Sequence, residues 1–425
     1  MLQWRAVRVQ ATRGVCFVTA LAAAVVSGRP AQADMKWKAG DFELRPAGYI
    51  QMDGRAFPGW EVEPGAGLRS DSFDIRRLRA GFEFDVRALS GEFVVDAADL
   101  ANRAISDDDP HPAFTLQQHL KDAYLELALG KDHFVRAGHF KVPVTREFLT
   151  SASKIDFAER SMLANGMAPG REWGVMFGGK LGELHGLKYQ IGGFAGDGWS
   201  EDFRGEATGA ARFVLELSSK LEVAVSGSLG TVEADAEDPE LTPEPHSVRG
   251  RSASEWSFFR RVHVDGQRRR LGADTQLVLG ALTLRGEILQ AREERKGQGS
   301  TFQDLPPLVG LGWSGTAVWR LLGPRTKKDE AHGKTPVDLA VRYESLGFDD
   351  DGPDEGFAGT TDRARNIRPQ SAQSVLGSLS CWPRPWIRLL GNVIVDRYND
   401  ALFAPEMGRK GNYVTLIGRL QLEVP

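Results

Sequence analysis

The chain has 425 residues, of which 41% are hydrophobic and 26% charged, and its formal net charge is −4 at pH 7. This acidic balance argues against nucleic acid as a partner. The two cysteines, Cys16 and Cys381, cannot provide a disulfide framework, so an exported form of the chain needs another source of stability.

The first predicted element is a secretory signal over residues 1–33. Arginines precede an apolar run over 15–26, which is shorter than the roughly 20 residues that a membrane-spanning helix needs. A small-residue cleavage site, Ala31-Gln32-Ala33, follows the run. We therefore expect cleavage near Ala33 and a mature chain over 34–425. Removing residues 1–33 takes away four arginines and no acidic residue, so the net charge falls from −4 to −8.

From residue 42 onwards, apolar and polar residues alternate with period two, which predicts strands with two unlike faces. Near the C-terminus, for example, Val414, Leu416 and Leu420 share one face, while Thr415 and Arg419 lie on the other. This pattern predicts sixteen strands, near 42–53, 73–86, 88–98, 121–129, 132–140, 172–180, 186–195, 208–217, 220–230, 268–280, 282–292, 309–322, 336–347, 372–382, 385–397 and 412–424.

The predicted connections alternate between long loops and tight turns. Long loops lie near 54–72, 99–120, 141–171, 231–267, 293–308, 348–371 and 398–411, with a shorter one at 196–207. One of the turns, 323–335, is longer than the others. An even number of strands with long loops at one end and short turns at the other is typical of outer-membrane barrels. The predicted fold class is therefore all-β: a transmembrane antiparallel barrel of about sixteen strands in the bacterial outer membrane.

The polar faces of these strands carry arginine together with glutamate or aspartate, which suits the wall of a water-filled lumen. Guanidinium groups match phosphate oxygens and stay charged at any relevant pH. The inward-facing acids slightly outnumber the inward-facing bases, however, so many arginines are expected to form ion pairs across the wall. The count alone therefore does not predict phosphate selectivity.

The sequence carries no convincing enzyme signature. Gly310, Gly312 and Gly315 form a G-x-G-x-x-G pattern, but within a strand-like stretch rather than at the start of a helix. Zinc-protease and nucleophile-elbow motifs are absent, and the aspartates at 107–109 and 349–351 lack the spacing of a calcium loop. We predict a non-enzyme without cofactor or metal. The alternative is a barrel with a non-transport role, as an adhesin or a barrel enzyme.

The segment AGHFKVPVTREFLTSASKIDFAERSMLANGMAPGREWGV, from Ala137 to Val175, resembles the phosphate-selective porin O/P family. The similarity runs over nearly the whole mature chain, with further matches in GYIQMDGR, RRLRAGFEF, KDAYLEL, GFAGDG and GRLQL. Within the segment, the matching positions are Gly138, Phe140, Lys141, Pro143, Phe157, Glu159, Arg160, Arg171 and Gly174.

The resemblance implies a trimeric outer-membrane porin whose third long loop folds into the lumen. Small hydrophilic solutes would diffuse passively through it, anions such as phosphate or polyphosphate among them. Outer-membrane lipid and lipopolysaccharide would surround it. Loop 141–171 suits the constriction, because its many apolar residues need burial and it carries an excess of cations. The candidate residues for the constriction and anion path are Lys141, Arg146, Lys154, Arg160, Arg171, Arg77, Arg79 and Arg136.

Two roles remain open for the charged residues of this loop. They either face the passing solute or pair with one another and with the wall, in which case they hold the loop in place. Pairing is a stronger alternative for Glu159 and Arg160 than for Lys141 and Arg146, which follow the strand end directly.

Overall fold

The computed structural model describes residues 36–58, 60, 72–106, 119–182, 186–196, 206–233, 247–299, 302–323, 335–350, 367, 369–405 and 411–424. The predicted signal over 1–33 and the aspartates at 107–109 lie outside the described residues. No helix in the described part of the chain is long and apolar enough to cross a membrane.

Strands dominate the described chain. They are β1 Trp37–Ala39, β2 Phe42–Ala56, β3 Ser72–Val86, β4 Leu89–Asp96, β5 Leu120–Leu129, β6 His133–Lys141, β7 Arg171–Leu181, β8 Leu187–Phe194, β9 Thr208–Glu216, β10 Leu221–Val232, β11 Ser247–Arg251, β12 Ser257–His263, β13 Gly266–Leu279, β14 Leu282–Arg295, β15 Leu305–Leu322, β16 Val337–Asp350, β17 Gln370–Arg384, β18 Ile387–Tyr398 and β19 Tyr413–Glu423. The helices are α1 Ala98–Ser106, α2 Arg146–Leu149 and α3 Met162–Gly166, with a 3₁₀ turn at Ala401–Phe403.

Sixteen of these strands, β2–β10 and β13–β19, close into an antiparallel barrel within the described residues. Each pairs with its neighbours in chain order, and β10 pairs with both β9 and β13. The seam joins the last strand to the first barrel strand, from Glu423 opposite Tyr49 to Leu416 opposite Ala56. The predicted fold class is confirmed, and each of the sixteen predicted strands overlaps one barrel strand.

The two faces of the barrel differ in the way that the alternation predicts. Large apolar side chains such as Leu271, Val225 and Leu379 are 53–68% exposed on the outer face. Their strand neighbours on the inner face are buried and polar, as Asp274 and Ser378 are. Closing the sheet pairs the backbone groups of all these strands, and this is how strands can cross a bilayer without unpaired edges.

A β-bulge interrupts the alternation in β3. Gln51 lies opposite Arg77 and the next residue, Met52, lies opposite Ile75, so Arg76 is the extra residue. The side chain of Asn102 in α1 bonds both the N–H and the carbonyl oxygen of Ile75, at 2.9 Å each. The bulge turns both Arg76 and Arg77 towards the interior, which strict period-two alternation does not predict.

The predicted loop 231–267 contains secondary structure of its own. Strands β11 and β12 form a hairpin that is separate from the barrel sheet. Its Phe259 is buried and stacks on Phe348 of β16, with 4.6 Å between ring centroids. The hairpin therefore packs against the barrel strands.

Candidate functional site: the β6–β7 loop and the charged wall

The site begins where β6 ends, at Lys141. The structure makes Lys141 and Arg171 the last and first residues of the flanking strands, so the predicted loop 141–171 is 142–170 here; it is called the β6–β7 loop below. Val142 and Val144 are fully buried, and Thr145 has a φ of 59°, in the left-handed region. This turn directs the following residues towards β10 and β13, where the Thr145 N–H donates to Ser226 Oγ at 3.3 Å.

Arg146 and Glu147 attach the start of α2 to the wall. Arg146 donates to Asp274 at 3.1 Å and also pairs with Glu222. The Glu147 carboxylate pairs with Arg342 of β16, and its backbone N–H donates to Glu287 at 2.7 Å. Arg146 therefore lies in ion pairs with two carboxylates.

The middle of the loop is bonded through its backbone to β2, β18 and β19. Arg388 donates to the carbonyl oxygen of Ile155 at 2.7 Å, and Arg419 to that of Ala158 at 2.6 Å. The Ala158 N–H donates to Asn392 Oδ1 at 2.7 Å. These wall side chains provide hydrogen-bond partners for backbone groups of the loop that lie outside any helix or strand. Buried backbone N–H and carbonyl groups require such partners.

Glu159 lies at the centre of an arginine cluster. Its carboxylate accepts hydrogen bonds from Arg55 at 3.0 Å, Arg76 at 2.6 Å and Arg77 at 3.1 Å, and Arg419 lies 3.4 Å away. Burial raises the pKa of such a carboxyl, but these arginines outweigh it and hold the pKa of Glu159 well below its usual range. Glu159 is therefore charged and fixed to strands β2, β3 and β19.

Helix α3 packs on a glycine-rich part of β15. A Cβ at Gly310 would meet Met167 Sδ at 2.7 Å, and one at Gly312 would meet Leu163 Cβ at the same distance. The G-x-G-x-x-G pattern thus lies within a strand, as expected, and its first two glycines make room for the helix.

Lys141 and Lys154 remain outside the carboxylate pairs. Lys141 Nζ donates to the carbonyl oxygens of Leu149 and Thr150, at 3.0 and 3.1 Å. Lys154 is exposed, and no ion pair of its side chain is recorded among the described residues. Lys154 is therefore the cation of the β6–β7 loop whose charge is least neutralised.

Arg160 and Arg171 are held by more hydrogen bonds than Lys154 is. Arg160 donates to the carbonyl oxygens of Glu147 and Thr150, and burial together with the charge of Arg77 lowers its pKa to about 10. Arg171 pairs with Asp122 through two hydrogen bonds, at 2.9 and 3.1 Å.

The three predicted wall arginines have acceptors as well. Arg79 donates to Asp96 at 3.0 Å, and Arg77 to Gln51 at 2.8 Å in addition to Glu159. Arg136 pairs with Glu126 at 2.7 Å and stacks over the ring of Tyr124, 4.1 Å from its centroid. The structure brings Arg77 to the loop and leaves Arg79 and Arg136 on the wall beside it.

Two cavities flank the loop. The larger, about 770 Å³, opens towards the short turns, and the smaller, about 510 Å³, lies on the side of the long loops. Arg171 lines both cavities. Among described residues the larger cavity has seven cations against five acids; the cations are Lys36, Arg45, Arg79, Arg136, Lys141, Lys154 and Arg171.

The sequence analysis missed three residues in or beside the arginine cluster, namely Arg55, Arg76 and Glu255. Gln51 and Asp53 lie on the inner face of β2, and continuing this alternation by one step would have identified Arg55. Arg55 also donates to Glu255 of the hairpin at 2.8 Å. Arg76 is exposed to the loop by the bulge, and Glu255 comes from a segment expected to lack structure. Period-two alternation gives no signal for either residue.

No group of three or more His, Cys, Asp or Glu residues in the described chain is arranged to hold a metal ion. A closed barrel with an apolar outside and a charged inside defines the class of transmembrane β-barrels. The chain belongs to the phosphate-selective porin O and P family, whose model matches residues 50–368. It is therefore an outer-membrane channel of bacteria rather than an enzyme.

Solved outer-membrane proteins share the fold at low sequence identity. The anion-selective porin of Comamonas acidovorans is 11% identical with a TM-score of 0.55, covering 90% of this chain and 100% of its own. The trimer form of OmpT from Vibrio cholerae is 9% identical with a TM-score of 0.55, at 90% and 99% coverage. The channel DcaP of Acinetobacter baumannii is 12% identical with a TM-score of 0.53, at 91% and 99%. No curated protein matches the sequence.

Proposed function

We propose that this porin conducts small hydrophilic anions by passive diffusion, and that the β6–β7 loop lies in the lumen and forms its constriction. The observation that carries the proposal is the cation excess of the larger cavity, with the exposed Lys154 at the loop surface. A charged wall of low dielectric around a narrow aqueous path strengthens the field on a passing ion. The loop's bonds to β2, β16, β18 and β19 support the inward position.

Phosphate and polyphosphate belong to the proposed anions. The arginines along the path offer the planar donor pairs that suit phosphate oxygens. Arg171 supports a path through both cavities, because it lines each of them. Carboxylates such as Asp122 neutralise several of these arginines, so we place the selectivity on the exposed Lys154.

We further propose a homotrimer in contact with lipid and lipopolysaccharide, made from a precursor cleaved near Ala33. The trimer form of the Vibrio cholerae structure supports the assembly, and the apolar outer face supports the lipid contact. The basic, apolar and small-residue order of residues 1–33 supports the cleavage.

The test is Lys154→Glu, measured as the reversal potential of single channels in a planar bilayer under a steep salt gradient. Reversing a charge at the constriction should lower the ratio of anion to cation permeability roughly two- to fivefold, since exposure to water screens part of the effect. Lys154→Gln should give a smaller change in the same direction.

Lys131→Glu is the matched control, because Lys131 is exposed at the β5–β6 turn. It should leave the reversal potential close to that of the parent. A Lys154→Glu channel with the parent's reversal potential would show that the loop surface does not act on the permeating ions.

A further inference from the structure

The smaller of the two cavities beside the β6–β7 loop, about 510 Å³, lies on the side of the long loops and is called the outer cavity below. Among the described residues, its lining includes six arginines and four glutamates. Glu159, Glu172 and Glu293 are buried. The side chain of Glu255, in contrast, is 27% exposed. Of the described acids that line this cavity, Glu255 is therefore the one that a dissolved ion can reach most easily.

The barrel wall holds Glu255 in its position. This residue lies in the turn between β11 and β12 and has a φ of 68°, in the left-handed region that residues with a side chain rarely adopt. Ser252 Oγ, earlier in the turn, donates to Asp396 Oδ2 of β18 at 2.7 Å. Ser254 Oγ donates to Thr415 Oγ1 of β19, also at 2.7 Å. A strained backbone conformation persists where the surrounding contacts impose it, as these bonds do here.

In this position the carboxylate of Glu255 contacts two arginines of the cluster. Arg55 donates to it at 2.8 Å, and Arg76 pairs with it through Nη2. Arg55 is buried, whereas the side chain of Arg76 is 32% exposed and lines the outer cavity. Arg76 also donates to the buried Glu159 at 2.6 Å. The pair of Arg76 with Glu255 is thus the part of the cluster that faces the outer cavity.

A partly exposed ion pair is weak, because water and salt screen it, so another anion can compete with its carboxylate. A guanidinium group offers the same donors to a protein carboxylate and to a dissolved oxyanion. We propose that Glu255 is a specificity-determining residue of the channel: its carboxylate occupies Arg76 and thereby lowers the preference of the channel for anions. This inference rests on the proposed passage of ions through the lumen, and it assigns an opposing charge to the outer cavity.

The experiment compares Glu255→Gln with the parent porin in planar bilayers. Glutamine keeps the size of the side chain and an oxygen that Arg76 can still donate to, but it removes the charge. The ratio of anion to cation permeability, taken from the reversal potential in a potassium chloride gradient, should rise about twofold. Inorganic phosphate should reduce the chloride current at a concentration roughly two- to fivefold lower than in the parent, since it no longer competes with a carboxylate for Arg76.

Two further variants separate the charge from the structure of the turn. Glu255→Asp keeps the charge, and aspartate tolerates the left-handed backbone, so this variant should retain the parent's permeability ratio. Glu294→Gln is the matched control. Glu294 lies at the same end of the barrel, its side chain is 31% exposed and pairs with Lys296, and it lines neither cavity beside the loop. Its neutralisation should leave the reversal potential unchanged.

An unchanged reversal potential in Glu255→Gln overturns the proposal, as does an equal shift in Glu294→Gln. A higher single-channel conductance at the parent's reversal potential also overturns it, because a loosened hairpin would have that effect without any role in selectivity. The direction of the expected shift does not depend on the parent's own preference. A parent that prefers cations would therefore contradict the proposed anion conduction, while a shift towards anions in Glu255→Gln would still support the role of Glu255.

Discussion

Glu159 lies 2% exposed among four arginines that belong to both ends of the chain. Sequence analysis could identify Glu159 and Arg77 as charged residues near the proposed constriction, because one lies in the long loop and the other on a polar strand face. It could not show that they meet. Their contact depends on the path of a loop without periodicity and on a bulge at Arg76, and neither leaves a regular pattern.

Glu159→Gln should therefore release the loop. Removing one partner of a buried ion pair leaves uncompensated charge and costs about 3 kcal/mol or more. We expect faster tryptic cleavage after Lys154 and Arg160 in the folded porin. Glu83→Gln is the control, since Glu83 is about half exposed and its pair with Arg45 contributes little. Equal digestion rates for the parent and Glu159→Gln would contradict the anchoring role.

The carboxylate of Glu159 also determines how the protease resistance of the β6–β7 loop depends on pH. The pKa of Glu159 is lower in the folded porin than the value near 4.5 expected for the unfolded chain. The stability that its charge gives to the docked loop is therefore fully present above pH 4.5, and it is lost as the pH falls through the folded pKa. The parent's loop should thus resist trypsin-like cleavage equally at pH 7 and pH 5.5. Loss of resistance already within this window would show that another group controls the loop.

At the scale of single elements, alternation predicted the sixteen barrel strands because each strand separates an apolar face from a polar one. The same rule failed for the hairpin β11–β12. Its second strand places Phe258 and Phe259 side by side, both buried, so it shows no alternation. An element that is buried on both faces cannot be recognised by a two-faced pattern.

Deleting residues 147–165 should raise single-channel conductance, because it removes the element proposed to narrow the lumen. The gain should be limited by the hairpin, whose Glu255 bonds Arg55 at 2.8 Å on the side of the long loops. Heat-modifiable migration on gels should persist, which would show that the barrel itself is intact. A conductance equal to that of the parent would place the constriction elsewhere.

At the scale of the whole molecule, the barrel leaves a broad apolar outer surface that would suit either lipid or a neighbouring subunit. The strand count and closure could be predicted from the sequence, since an even set of two-faced strands has few other stable arrangements. The number of subunits could not be predicted, because an outer face that contacts lipid and one that contacts another subunit have the same apolar pattern.

We expect crosslinking of the porin in native membranes to yield trimers. Three subunits would bury part of the apolar face that a single barrel exposes to lipid. Heating in detergent should convert the trimer band to monomer before the barrel itself unfolds. Monomer as the sole crosslinked species would contradict the trimer.

The arginine cluster also constrains the order in which the molecule can assemble. Arg419 lies opposite Asp53 across the seam between the last and first barrel strands, and bonds it at 2.6 and 2.7 Å. Glu159 needs Arg55 and Arg77 from one side of that seam and Arg419 from the other. The complete cluster therefore cannot form before the cylinder closes, since Arg419 is 260 positions from Glu159 in sequence and reaches the strands of Arg55 and Arg77 only across the seam. Completion of the cluster around Glu159 is thus a late step of folding, because Arg419 joins it only when the last strand meets the first.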